Sequence, residues 1–169
     1  MTSAELLLDA FERIRGVVHR AVDGLSADDL AWRPGPDANS IAWLVWHLTR
    51  IQDDHVAGVA GRAQVYTAEG WADRFGLPFD DTEIGYGQDS EAVAAVRVES
   101  GELLTAYLDA VHQQTTTYVR TITDADLDRV VDRSWDPPVT LGVRLVSVIS
   151  DDLQHAGQAA YLRGLLQRR

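Results

Sequence analysis

Apolar residues recur three and four positions apart over four long stretches of the chain, and each stretch predicts an amphipathic helix. In the first, Leu7, Phe11, Ile14, Val18, Val22 and Leu25 form one stripe, with a capping-box signature at Thr2 and Glu5. The second, SIAWLVWHLTRIQDDHVAGVAG, opens on Ser40 as N-cap and ends at Gly58 and Gly61. It is rich in large apolar groups and is expected to be mostly buried. The third follows Ser100, with Leu104, Val111, Tyr118 and Ile122 at helical spacing. The fourth follows Thr140 and runs to about Leu166. Between them, LSADDLAWRPGPDANS and TDADLDRVVDRSWDPP read as loops. Residues 62–89, interrupted by Gly76, Pro78, Gly85 and Gly87, form a long connection with room for a short helix around AEGWADRF. SEAVAAVRV reads equally as a helical lead-in or an extended strip, and no strand pair emerges. The expected fold is all-α: one domain over residues 1–169, a four-helix bundle with a long connection between helices two and three.

A short internal echo accompanies this pattern. LSADDL precedes the second helix as ITDADL precedes the fourth, and the helices open on Ser40-Ile41-Ala42 and Thr140-Leu141-Gly142. The echo predicts that helices two and four are equivalent parts of two helical hairpins.

Composition removes several function classes. The net charge is −11 and the basic residues are scattered, so neither nucleic acid nor an anionic membrane is an expected partner. No apolar run approaches the ~20 residues needed to cross a bilayer, and the N-terminus lacks the basic-then-apolar order of a signal peptide. A cytoplasmic location is expected. There is no cysteine, so any thiol chemistry uses an outside thiol. All fifteen basic residues are Arg, which excludes a Schiff-base or P-loop lysine.

The candidate chemistry lies on polar stripes of helices two and four. Helix four carries Thr140, Arg144, Ser147, Asp151, His155 and Gln158, in steps of three and four that share one face. Leu141, Val143, Leu145, Val146, Val148 and Ile149 nearly surround the first half of that stripe, as expected for an internal groove. Helix two carries Ser40, His47, Arg50 and Asp54. If the two helices face each other, His47, Asp151 and His155 form an N, O, N set. Three protein ligands with an open fourth position suit catalytic zinc, and the same set suits non-haem iron, nickel or manganese. Without a metal, Asp151 and His155 are an i,i+4 polar pair. His55 is rotated off the His47 stripe by about 80°, whereas Asp54 stays in line and borders the expected pocket. His19 and His112 read as surface or groove residues.

DLAWRPGPDANSIAWLVWHLTRIQDDH, followed in helix four by DDLQHAGQAAYLRGLL, resembles the DinB-like superfamily. More narrowly it is similar to the mycothiol-dependent branch, which includes maleylpyruvate isomerase and mycothiol S-transferases. The resemblance spans nearly the whole chain; its anchors are DLAWRP, WHL and H-x-GQ. It implies a four-helix bundle with a divalent metal, usually zinc or nickel, at one end, and ligands at His47 and His155. Many members have histidine where this chain has Asp151; the isomerase-like branch has a glutamate there.

The favoured expectation is a metal-dependent thiol S-transferase or isomerase, with mycothiol as the thiol the resemblance suggests. A thiol on the metal loses its proton near neutral pH and attacks a small electrophile. Arg50 and Arg144, with Asp54, are candidate groups for binding the thiol or substrate, although each Arg taken singly reads rather as half of an ordinary surface ion pair. One alternative is a hydrolase using metal-activated water. Another is a non-enzymatic, metal-stabilised stress-response or binding protein that forms a homodimer through an apolar helix face.

Overall fold

The computed structural model describes all residues, 1–169. Its frame is four long helices: α1 (Ser3–Val22), α3 (Ile41–Ala60), α7 (Gly101–Val119) and α8 (Leu141–Leu166). Short helices α2 (Ala27–Ala31), α4 (Val65–Ala68), α5 (Trp71–Phe75) and α6 (Ser90–Ala95) sit in the connections. Around the bundle, α8 lies between α1 and α3, and α7 closes the ring on the opposite side. The expected four-helix bundle is the observed fold.

The caps match the sequence pattern. Thr2 and Glu5 exchange side-chain and backbone hydrogen bonds at the start of α1. Ser40 Oγ accepts from Trp43 N, and Thr140 Oγ1 accepts from Val143 N. Ser100 occupies the N-cap of α7 but makes no side-chain capping bond. The internal echo is structural as well. LSADDL forms α2 with a capping box between Ser26 and Asp29, and ITDADL forms a 3₁₀ turn, Asp124–Asp128, with one between Thr123 and Asp126. Each turn precedes one of the two helices that carry the candidate ligands.

Two stretches read as loops hold more structure than expected. Besides α2 and the 3₁₀ turn, Val130–Asp132 (β1) and Val139–Thr140 (β2) pair antiparallel. The hairpin is tied to α8 by Arg144 Nη2 donating to Asp132 Oδ2 at 2.9 Å.

Helix α3 is buried from Ile41 through Asp53 without interruption. A helix apolar on nearly every side needs cover on every side. Here α7 and α8 cover the inner faces, while the 62–98 connection covers the outer one with Val65, Tyr66, Trp71, Phe75, Val93, Val96 and Val98 in the same core. The buried polar residues of α3 pin that connection. Asp53 accepts from Val65 N (2.9 Å), Tyr66 N (2.8 Å) and Tyr107 Oη (2.8 Å). Burial pushes its carboxyl above the usual range, and these donors with Arg50 oppose the shift. Arg50 is fully buried. It donates to the Glu83 and Asp81 carbonyls (3.0 and 3.1 Å) and to Gln64 Oε1 (2.7 Å), and lies over the Tyr66 ring at 4.2 Å.

Candidate metal centre

Helices α3 and α8 run antiparallel along their shared seam, so His47 meets His155 near one end and Asp54 approaches Arg144 near the other. At the first end the ligand atoms of His47, Asp151 and His155 lie within 4.8 Å of one another. The imidazole centroids are 5.0 Å apart, and His155 Nε2 is 3.7 Å from Asp151 Oδ1.

Each imidazole is held by its other nitrogen. His47 Nδ1 lies 2.5 Å from the Ile84 carbonyl. A carbonyl only accepts, so Nδ1 carries the proton and Nε2 of the neutral ring keeps its lone pair. His155 Nδ1 donates to Gln158 Oε1 at 2.9 Å, which leaves its Nε2 free in the same way. Such outer partners fix tautomer and ring direction for a metal. Burial holds the His47 pKa below its ordinary value, chiefly by desolvation, and the neutral ring is the ligating form. Asp151 Oδ2 is buried without any partner. An unpartnered carboxylate oxygen beside two free imidazole nitrogens is satisfied by a cation. The three residues fit a divalent metal.

The surroundings are asymmetric. Trp43 stacks on His47 (4.5 Å between centroids, 17° between planes) and meets His155 edge-on at 6.0 Å. Its Nε1 donates to Gln88 Oε1 at 2.8 Å, joining the site wall to the connection. His47 is 4% exposed, whereas the side chains of His155 and Asp151 are 17% and 35% exposed. The site is therefore closed on the α3 side and opens past Asp151.

The other expected site residues lie elsewhere. Arg50, with its fork engaged inside the protein, anchors the connection and presents no free face to a ligand carboxylate. Asp54 and Arg144 come together, but in a separate groove of about 600 Å³ walled by the β hairpin and shared with His55, Arg129 and Asp132. There Asp54 accepts from Gln64 Nε2 and lies 3.2 Å from His55, whose ring holds its carboxyl below the usual range. His19 is half-exposed and bonded to Asp109 at 2.8 Å, while His112, its side chain 14% exposed, sits 3.0 Å from Glu12.

Three features went unread in the sequence. The Ile84 carbonyl is a backbone group and has no residue signature. Gly85, whose glycine type signals only a break in the connection, packs directly against His47 and Trp46. Asp152 is fully buried with neither oxygen hydrogen-bonded, and burial followed by Asp151 pushes its carboxyl well up. Its place at the step Val148, Asp152, Ala156 on the core stripe was the available signal.

The family model described as DinB superfamily matches residues 10–159. The chain belongs to the DinB superfamily. The crystal structure of a conserved protein from Enterococcus faecalis superposes with a TM-score of 0.93 at 30% identity, over 100% of this chain and 99% of that one. No curated protein matches the chain. As a DinB-superfamily bundle it carries its His/Asp/His set on α3 and α8, the two helices whose lead-in turns echo each other.

Proposed function

We propose that this DinB-superfamily protein is a metal-dependent enzyme that uses a small outside thiol on an electrophilic substrate, as an S-transferase or isomerase. His47 Nε2, His155 Nε2 and one Asp151 oxygen would hold a zinc or nickel ion. The observation that carries the reading is the pair of imidazoles, each fixed at Nδ1, aimed with an orphan carboxylate oxygen at one point. A bound divalent cation supplies Lewis acidity at an open position, where a thiol loses its proton near neutral pH. The chain's residues do the rest. Asp151 offsets positive charge, Trp43 excludes water from the closed side, and the Asp151 side admits the reactants. With no cysteine in the chain, no internal thiol competes for the open position. The sequence resemblance to the mycothiol-dependent branch supports mycothiol as the thiol.

The test is elemental analysis followed by a turnover assay. About one zinc or nickel per chain is expected in the wild type, with loss in His47→Ala and His155→Ala. Consumption of mycothiol with a chlorodinitrobenzene electrophile should require the metal and be absent in both variants. Metal-dependent ester hydrolysis without any thiol would replace this reading with a hydrolase. A metal-loaded protein that turns over neither substrate, and loses only thermal stability on chelation, would make it a non-enzymatic metal protein.

A further inference from the structure

The seam between α3 and α8 continues past the candidate ligands. Leu44 precedes His47 by three residues and Gln158 follows His155 by three; because the helices are antiparallel, both steps lead the same way. About 5 Å along the seam lies a pocket of about 260 Å³, lined by Asp37, Asn39, Leu44, Gln158, Tyr161 and Leu162. Its rim is held in place by Arg33. That side chain donates to the carbonyls of Pro36 and Ala38, and to the Ser90 carbonyl and hydroxyl at 3.0 and 2.9 Å. The backbone on either side of Asp37 is thereby fixed before anything binds. Gln158 is shared with the candidate metal centre. Its Oε1 accepts from His155 Nδ1, so its Nε2 is left over as a donor. The two imidazoles differ in this respect: His47 is held by a backbone carbonyl, whereas His155 depends on an exposed side chain.

We propose that this pocket binds a small hydroxylated compound, a polyol or a single sugar ring, and that Gln158 couples its occupancy to the metal centre. The lining selects the class. The Asp37 carboxylate accepts, Gln158 Nε2 donates, and the Asn39 amide and Tyr161 hydroxyl do both. Hydroxyl groups, each a donor and an acceptor, match that mixture. No basic side chain lines the pocket and Asp37 repels an anion, so phosphate and carboxylate groups are disfavoured. An ammonium group would leave the Gln158 donor unanswered. Leu44, Leu162 and the Tyr161 ring supply apolar surface for the carbon face of a ring. The volume lies near the ~300 Å³ lower end of ligand pockets, which limits the occupant to one small ring or a short chain. The coupling follows from the shared amide. A hydroxyl oxygen that accepts from Gln158 Nε2 fixes the side chain in the rotamer that holds His155 and polarises its amide. A better-fixed outer partner tightens metal binding, and by linkage the metal tightens polyol binding by the same factor. The coupling rests on the metal reading above; the pocket stands without it.

The test uses the full chain and a matched pair of probes: D-xylose as a pyranose ring, and tetrahydropyran, the same ring without hydroxyls. In NMR titrations of the metal-free protein, xylose should shift the Gln158 and Asn39 side-chain amides saturably in the millimolar range, and tetrahydropyran should not. Asn39→Leu should weaken xylose binding by about 5-fold or more at an unchanged melting temperature, which separates a lost contact from a lost fold. Saturating xylose should raise zinc affinity in chelator competition by about 5-fold, and Gln158→Leu should abolish that increase. No saturable xylose shift up to about 200 mM would overturn the pocket. So would equal shifts of the same amides by tetrahydropyran or acetate. Unchanged zinc affinity at saturating xylose would overturn the coupling. A protein that takes up no zinc would sink the metal reading and the coupling together, while the xylose shifts still decide the pocket. None of these outcomes depends on thiol turnover.

Discussion

Gly85 is where the long connection presses on the candidate metal centre, and adding one methyl group there tests how the site is oriented. Gly85 has φ +90°, and a Cβ at this position would lie 2.7 Å from His47 Nδ1 and 3.0 Å from Trp46 Cζ3. Neither ring can give way easily. Trp46 is 1% exposed, and His47 is stacked on Trp43 at 4.5 Å. Gly85→Ala therefore combines two costs: a left-handed backbone at roughly 1–2 kcal/mol and overpacking at roughly 1–3 kcal/mol. At about 3 kcal/mol in total, the melting temperature of the metal-free protein should fall by roughly 6–12 °C. The loop can relieve the clash only by moving the Ile84 carbonyl off His47 Nδ1, and loss of such an outer-shell bond costs about 10–100-fold in metal affinity. Gly87→Ala is the matched control: φ is +74°, with open space where the Cβ would go. It carries the backbone cost alone and should bind zinc like the wild type. Zinc competition against a chromophoric chelator, with melts of metal-free and loaded protein, reads both quantities. Equal zinc affinity in the two glycine variants would refute the argument that the connection aims His47.

Two further predictions concern residues away from the ligands. Arg50→Ala should destabilise the protein by about 3–5 kcal/mol in urea titration, since it leaves Asp53 and two loop carbonyls without their buried partner; unchanged stability with a raised KM for the thiol would instead make Arg50 a ligand group. Burial holds the His112 pKa below its ordinary 6.5, so below that pH the unfolded chain binds a proton that the folded one refuses. Stability should then fall as pH drops from 7 towards 5, and His112→Gln should flatten that slope in denaturation curves; an unchanged slope would place the dependence elsewhere.

The helices were legible because burial of one stripe requires the 3.6-residue period, and that period survives in the residue types. The hairpin was not, since strands of three and two residues are too short to show alternation. The polar stripe of α3 misled for a definite reason. A shared face implies shared access only when that face meets solvent or a cavity, and α3 is covered through Asp53 by α7, α8 and the connection together. The all-round apolarity of WLVWHL already pointed to such cover, and Arg50 and Asp53 are polar because they hold the cover down. On α8 the error ran the other way. Val143 and Val146 suggested an enclosed stripe, yet both project outward.

The candidate metal centre divides along the same line between what periodicity shows and what it hides. His47, Asp151 and His155 are on long helices whose register is set by the core, so their convergence follows from helix spacing and antiparallel packing. Their aim is set separately, by the Ile84 carbonyl on a glycine-rich connection and by Gln158 on the open side of α8. Core register and ligand aim therefore respond to different mutations. A cavity made beneath α3, as by Leu48→Ala, lowers global stability while the ligands keep their helical spacing. A change that moves the Ile84 carbonyl, as at Gly85, leaves most of the core intact but rotates an imidazole. On these grounds zinc affinity and folding stability should vary independently among variants assayed by chelator competition and thermal melts, with Gly85 at the one place where both respond.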